Sequence, residues 1–222
     1  MHYKRTITLY IQRICLHLKS IGVLFWVPIF IFNLLVPLLN YLTYSKYAVG
    51  EELYTEILKN CLWYYPFFSN WCPLFLMKEY LETDGNELLF VYSGKNKLID
   101  LASVFLLNII NILIWFIPHT VLFPMMKYEL LRVLTICFLY FSFSYFLTFL
   151  SRSILIPLMI LLLYNLGAIL YAGTTVIIPI FYINYETYTP ILYLKQYFPF
   201  LIAAFSFLGV GIILNKKISH FN

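Results

Sequence analysis

The chain has 222 residues, of which 62% are hydrophobic and only 11% charged, with a formal net charge of +5. A soluble domain carries about 25% charge, so a soluble fold of this size is excluded, and a mean hydropathy of +0.83 points to lipid as the solvent. Helices or closed barrels satisfy every backbone polar group internally, and long continuous apolar runs favour helices over a barrel, whose strands alternate over stretches of about 10 residues.

Residues 2–19 come first. Ile7, Tyr10, Ile11, Ile14 and Leu18 recur at helical spacing, and the charged residues Lys4, Arg5, Arg13 and Lys19 are all basic. This pattern predicts an amphipathic helix lying in the membrane interface against anionic headgroups; a basic extension of the first span is the plainer alternative. The N-terminus lacks the small-residue cleavage site of a signal peptide. The first predicted span is Ile21–Leu42, with Pro28 and Pro37 inside it. Such prolines are tolerated in membranes where neighbouring helices satisfy the freed backbone groups.

A polar segment with Lys46, Glu51, Glu52, Glu56 and Lys59 precedes a short aromatic second span, Asn60–Met77. The hydrophilic stretch 78–100 follows, and then a third span, Leu101–Leu122. A short loop is expected around Lys127, Glu129 and Arg132. The fourth span is Val133–Leu150, and Ser151-Arg152-Ser153 is read as a tight turn. The fifth span is Ile154–Gly173. In 174–196 the run Val176–Phe181 is too short to cross but apolar enough to dip into the bilayer. The sixth span is Tyr197–Leu214, ahead of Lys216 and Lys217.

Six spans place Lys4, Arg5, Arg13, Lys19, Lys78, Lys95, Lys97, Arg152, Lys216 and Lys217 on one side, against Lys46, Lys59, Lys127, Arg132 and Lys195 on the other. The positive-inside rule makes the richer side, with both termini, cytoplasmic. The predicted fold class is an all-α integral membrane protein: six transmembrane helices after an N-terminal interfacial helix, expected in the plasma membrane.

The loop between spans two and three reads Glu82-Thr83-Asp84-Gly85-Asn86-Glu87-Leu88-Leu89, then Ser93-Gly94-Lys95-Asn96-Lys97. An acid, a spacer, Gly, a spacer and Glu-Leu-Leu at this place, behind a basic interfacial helix and two spans, resembles the membrane subunit of an ATP-binding-cassette exporter of the type-2 permease superfamily. The architecture fits over nearly the whole chain, whereas the motif covers about twenty residues. The chain is short for that family, and 174–196 carries a weak version of its re-entrant hairpin.

The resemblance implies a cytoplasmic coupling helix in 78–100 that seats on a separate ABC ATPase subunit. Glu82, Asp84 and Glu87 would meet basic groups there, Leu88, Leu89 and Phe90 would anchor it, and Gly85 would relieve the turn. It also implies a second permease chain, identical or a sister. Read without the resemblance, the same residues are a solvated acidic loop.

The chain has no GxxxxGK[ST] phosphate loop, so no cofactor is expected on it; ATP and Mg would belong to the partner ATPase. No nucleic-acid partner is expected. Cys15, Cys61, Cys72 and Cys137 are scattered, lack metal-site spacing and read as packing residues; His119 reads as a hydrogen-bonded interface residue. GxSxG and HExxH are absent, and Glu51-Glu52 lies in a polar external segment, so an enzyme is not expected. Within the span limits above there is no Asp, Glu, Lys or Arg, which counts against a secondary transporter or channel, the main rival. With 20 Tyr and 21 Phe, an amphipathic peptide or hydrophobic small molecule, such as an antimicrobial compound, is the expected cargo, although aromatics also gather at membrane interfaces.

Overall fold

The computed structural model describes residues 12, 14–82, 97–170 and 190–220, and all regular structure among them is helical. In chain order, α1 is Ile14–Lys46, α2 Glu51–Ser69, α3 Trp71–Leu81, α4 Lys97–Leu122, α5 Met126–Ser151, α6 Leu155–Leu170 and α7 Pro190–His220. Four helical stretches are long and apolar enough to cross a bilayer: α1, α4, α5 and the Tyr197–Lys216 part of α7. They coincide with the predicted spans 21–42, 101–122, 133–150 and 197–214.

The other two predicted spans fall on shorter pieces. Asn60–Met77 is divided between α2 and α3 by a turn at Asn70. Charged Glu51, Glu52, Glu56 and Lys59 occupy the first half of α2, leaving its apolar part short. α6 is apolar over Leu155–Gly167. The expected membrane-dipping run Val176–Phe181 lies outside the described residues.

Two breaks in the helices are repaired from neighbours. A proline has no N–H, so the carbonyl four residues before it loses its helical donor. Pro28 deprives Leu24, and the Trp71 indole N–H donates to the Leu24 carbonyl at 3.1 Å. Pro73 deprives Ser69, and the Asn108 amide donates to the Ser69 carbonyl at 2.9 Å. The kinks therefore double as interhelical ties. α1 also carries a 3₁₀ turn at Gly22–Phe25 and a π turn at Ile31–Leu35, just ahead of Pro37. The Asn33 amide donates to the Ile29 carbonyl there, and Trp115 donates to the Asn33 side-chain oxygen.

α5 is the central helix. Val133, Ile136, Cys137, Tyr140, Phe141, Tyr145 and Phe149 are all buried on it. α7 lies along α5 so closely that a Cβ on Gly211 would stand 2.6 Å from Tyr145 Cδ1 and 3.2 Å from Phe146 Cα. The outer helices are apolar on their exposed faces as well: Trp26, Phe30, Leu34 and Leu38 on α1, Leu106, Ile110, Ile114 and Ile117 on α4, Phe198, Ile202 and Phe205 on α7. Exposed apolar surface of this extent is foreign to a soluble monomer and suits a helix set solvated by lipid.

Two sequence expectations are corrected here. The predicted loop around Lys127, Glu129 and Arg132 is the start of α5, and Glu129 and Arg132 are each only 1% exposed. Lys97, expected in a solvated loop, sits buried in the first turn of α4. In both cases a nearby aromatic or opposite charge supplies what water would have supplied.

Side-chain contacts sort the helices between two ends of the bundle. At one end His17 of α1, Glu82 after α3, Asp100 of α4 and Ile154 before α6 come together. At the other, Tyr54 of α2, Glu129 and Arg132 of α5 and Tyr197 of α7 meet. The broken pair α2–α3 thus reaches from one end to the other, as α5 does.

Candidate functional site

α3 and α4 bracket residues 83–96. Of the predicted coupling residues, Asp84, Gly85, Glu87, Leu88, Leu89 and Phe90 lie outside the described residues, as do Lys4, Arg5 and Arg13. Glu82 is described, and it ends the turn that leaves α3, its own N–H donating to the Lys78 carbonyl at 2.8 Å. Its carboxylate accepts the Ile154 N–H at 2.8 Å. Ile154 immediately precedes α6, whose first N–H groups have no helical partner. A carboxylate at this place satisfies one of them and meets the positive end of the helix dipole. The cap comes from 72 residues upstream, so it joins the root of the 83–96 segment directly to α6.

The same root is tied to α1 and α4. His17 places Nε2 3.5 Å from Asp100 Oδ2 and Nδ1 4.0 Å from Glu79 Oε2. The Tyr80 hydroxyl donates to Asp100 Oδ2 at 3.3 Å and lies 3.4 Å from His17 Nε2. Lys97 holds its ammonium 5.9 Å from the Tyr80 ring centroid, a cation–π contact. Asp100 is fully buried in the first turn of α4, where the dipole favours a negative charge. A buried carboxylate is stable only when paired or hydrogen-bonded, and here α1 and α3 both provide partners. Lys19, two residues after His17 and expected at the membrane interface, is exposed.

The far end of the bundle holds a second charged cluster. Arg132 Nη1 lies 3.1 Å from Glu129 Oε2, one turn apart on α5. The Tyr54 hydroxyl donates to Glu129 Oε1 at 3.3 Å, and Arg132 donates to the Tyr197 hydroxyl at 3.4 Å while its guanidinium faces the Tyr197 ring. One ion pair therefore pins α2, α5 and α7 together. His119 is also a hydrogen-bonded interface residue, between the Tyr44 hydroxyl at 3.0 Å and the Asn40 amide at 3.2 Å. At the turn between α2 and α3, Asn70 donates to the Ser144 hydroxyl of α5.

His17, Asp100 and the Glu129–Arg132 pair are not singled out by motif reading. The usable signal was an acid and a base three residues apart at the mouth of an apolar run, a spacing that brings them together on a helix. For His17 there was none: its partners are 62 and 83 residues away, on other helices. Neither cluster pairs a nucleophile with a base, and among the described residues no group of three or more His, Cys, Asp or Glu could hold a metal ion. Both are built to bind helices to one another. No family model, curated protein or solved structure matches the chain.

Proposed function

We propose that the chain is the membrane-spanning permease subunit of an ATP-driven exporter, with α1, α2–α3, α4, α5, α6 and α7 as its six spans and both termini cytoplasmic. A separate ABC ATPase, carrying the ATP and Mg, would dock on 83–96, and a second permease chain would complete the pathway. The cargo would be hydrophobic or amphipathic, an antimicrobial peptide or small molecule among the candidates. The carrying observation is the Glu82–Ile154 bond. A loop that takes force from an ATPase needs a stiff connection to several spans, and this root is bonded to α6 through Glu82 and to α1 and α4 through Glu79, Tyr80, His17 and Asp100.

A second reading, a secondary transporter without an ATPase, gains from the buried charges at Glu129, Arg132 and Asp100, since ionisable residues inside membrane bundles often mark ion pathways. The exporter reading assigns them to helix pinning, because each is held by neighbours on other helices. Inverted vesicles containing the chain and any ABC ATPase that an adjacent gene encodes discriminate the two. ATP-dependent uptake of a fluorescent amphipathic peptide, insensitive to a protonophore, supports the exporter; uptake abolished by the protonophore and indifferent to ATP overturns it.

A further inference from the structure

We propose that the bend of α1 holds one anionic phospholipid, its headgroup on Lys19 and an acyl chain in a cleft formed by Leu18, Gly22, Val23, Phe25 and Trp26. The cleft has a volume of about 450 Å³, within the range of small-molecule sites. It exists because the helix changes course there. Gly22 adopts φ +64°, a left-handed conformation that only glycine takes without strain, and the 3₁₀ turn Gly22–Phe25 follows. The Trp71 indole fixes that turn from α3 by its bond to the Leu24 carbonyl.

The occupant follows from the walls. Val23 is 83% exposed and Trp26 63%, so the apolar side opens outward to the surroundings of the helix, where an acyl chain would lie. Lys19 lines the cleft and is exposed, so the charge at its edge matches a phosphate headgroup. Trp26 and Lys19 line the same cleft, and Trp gathers at the membrane–water interface with its ring at headgroup level. The site rests on the membrane reading of α1 and not on an ATPase partner.

The full chain is reconstituted into vesicles of equal parts phosphatidylcholine and phosphatidylglycerol, extracted in mild detergent, and weighed with its retained lipids by native mass spectrometry. The wild type retains phosphatidylglycerol in preference to phosphatidylcholine. Lys19→Gln lowers that preference roughly fivefold, the scale of one basic residue at a membrane surface, whereas Lys195→Gln, also at an exposed lysine, leaves it unchanged. Val23→Trp fills the cleft without altering charge and lowers retention of both lipids. Equal retention of the two lipids by the wild type, no response to Lys19→Gln, or the same fall with Lys195→Gln overturns the proposal. So does a lipid-free dimeric mass, which gives the cleft to a second copy of the chain. Flotation of each variant with the vesicles separates the two levels: a chain that floats but shows no preference has lost only the lipid site, and one that does not float contradicts the membrane reading beneath it.

Discussion

Taking Glu129 and Arg132 out of water is expensive, and their mutual attraction compensates only when the geometry is good and the remaining polar atoms find partners. Tyr54 and Tyr197 supply such partners from two further helices. Arg132→Met alone strands the Glu129 carboxylate and is expected to destabilise the chain by about 3–5 kcal/mol. Adding Glu129→Gln should recover most of that loss in thermal unfolding of detergent-solubilised protein. No recovery in the double variant would mean that Arg132 acts through packing alone. The sequence pattern placed these residues in a loop because the apolar run begins only at Val133; their burial depends on Tyr197, 65 residues away, which no local pattern reveals. Glu82 makes the opposite case. It was legible as part of an acidic motif, but its bond to Ile154 is tertiary. Glu82→Ala removes a helix cap and is expected to cost about 1 kcal/mol. Hydrogen exchange at the Ile154 and Leu155 amides should rise while exchange in α5 stays unchanged.

Among the elements, the four long apolar helices were readable from run length, because a span of about 20 apolar residues has few alternatives. The predicted second span falls on two shorter helices. Asn70 and Pro73 interrupt it, and Asn108 and Ser144, which belong to other helices, hold the two pieces at the break. The closeness of α5 and α7 was equally hidden, since glycines in apolar runs do not announce which of them is a contact. Gly211 is one and Gly209 is not: a Cβ on Gly209 would meet nothing within 4 Å. Gly211→Leu is therefore expected to cost about 1–3 kcal/mol through overpacking against Tyr145 and the α5 backbone, with Gly209→Leu nearly neutral. Equal melting temperatures for the two variants would contradict the close α5–α7 packing.

For the molecule as a whole, the two charged clusters lie at opposite ends of the same helix set. One pins α2, α5 and α7; the other gathers α1, α3, α4 and the start of α6 around Glu82, where residues 83–96 begin in sequence. Under the exporter reading the second end faces the cytoplasm, so a push on 83–96 would reach three membrane helices at once, while the first end resists splaying. Composition made the membrane class legible; it said nothing about a partner, because docking residues are ordinary acidic and apolar side chains until something binds them. The decisive measurement is co-purification of the chain with any ABC ATPase that an adjacent gene encodes, comparing the wild type with Glu87→Arg combined with Leu88→Asp. The exporter reading requires a detergent-stable complex that the double substitution abolishes while membrane insertion stays intact. An unchanged pull-down, or no complex with the wild type, would contradict it.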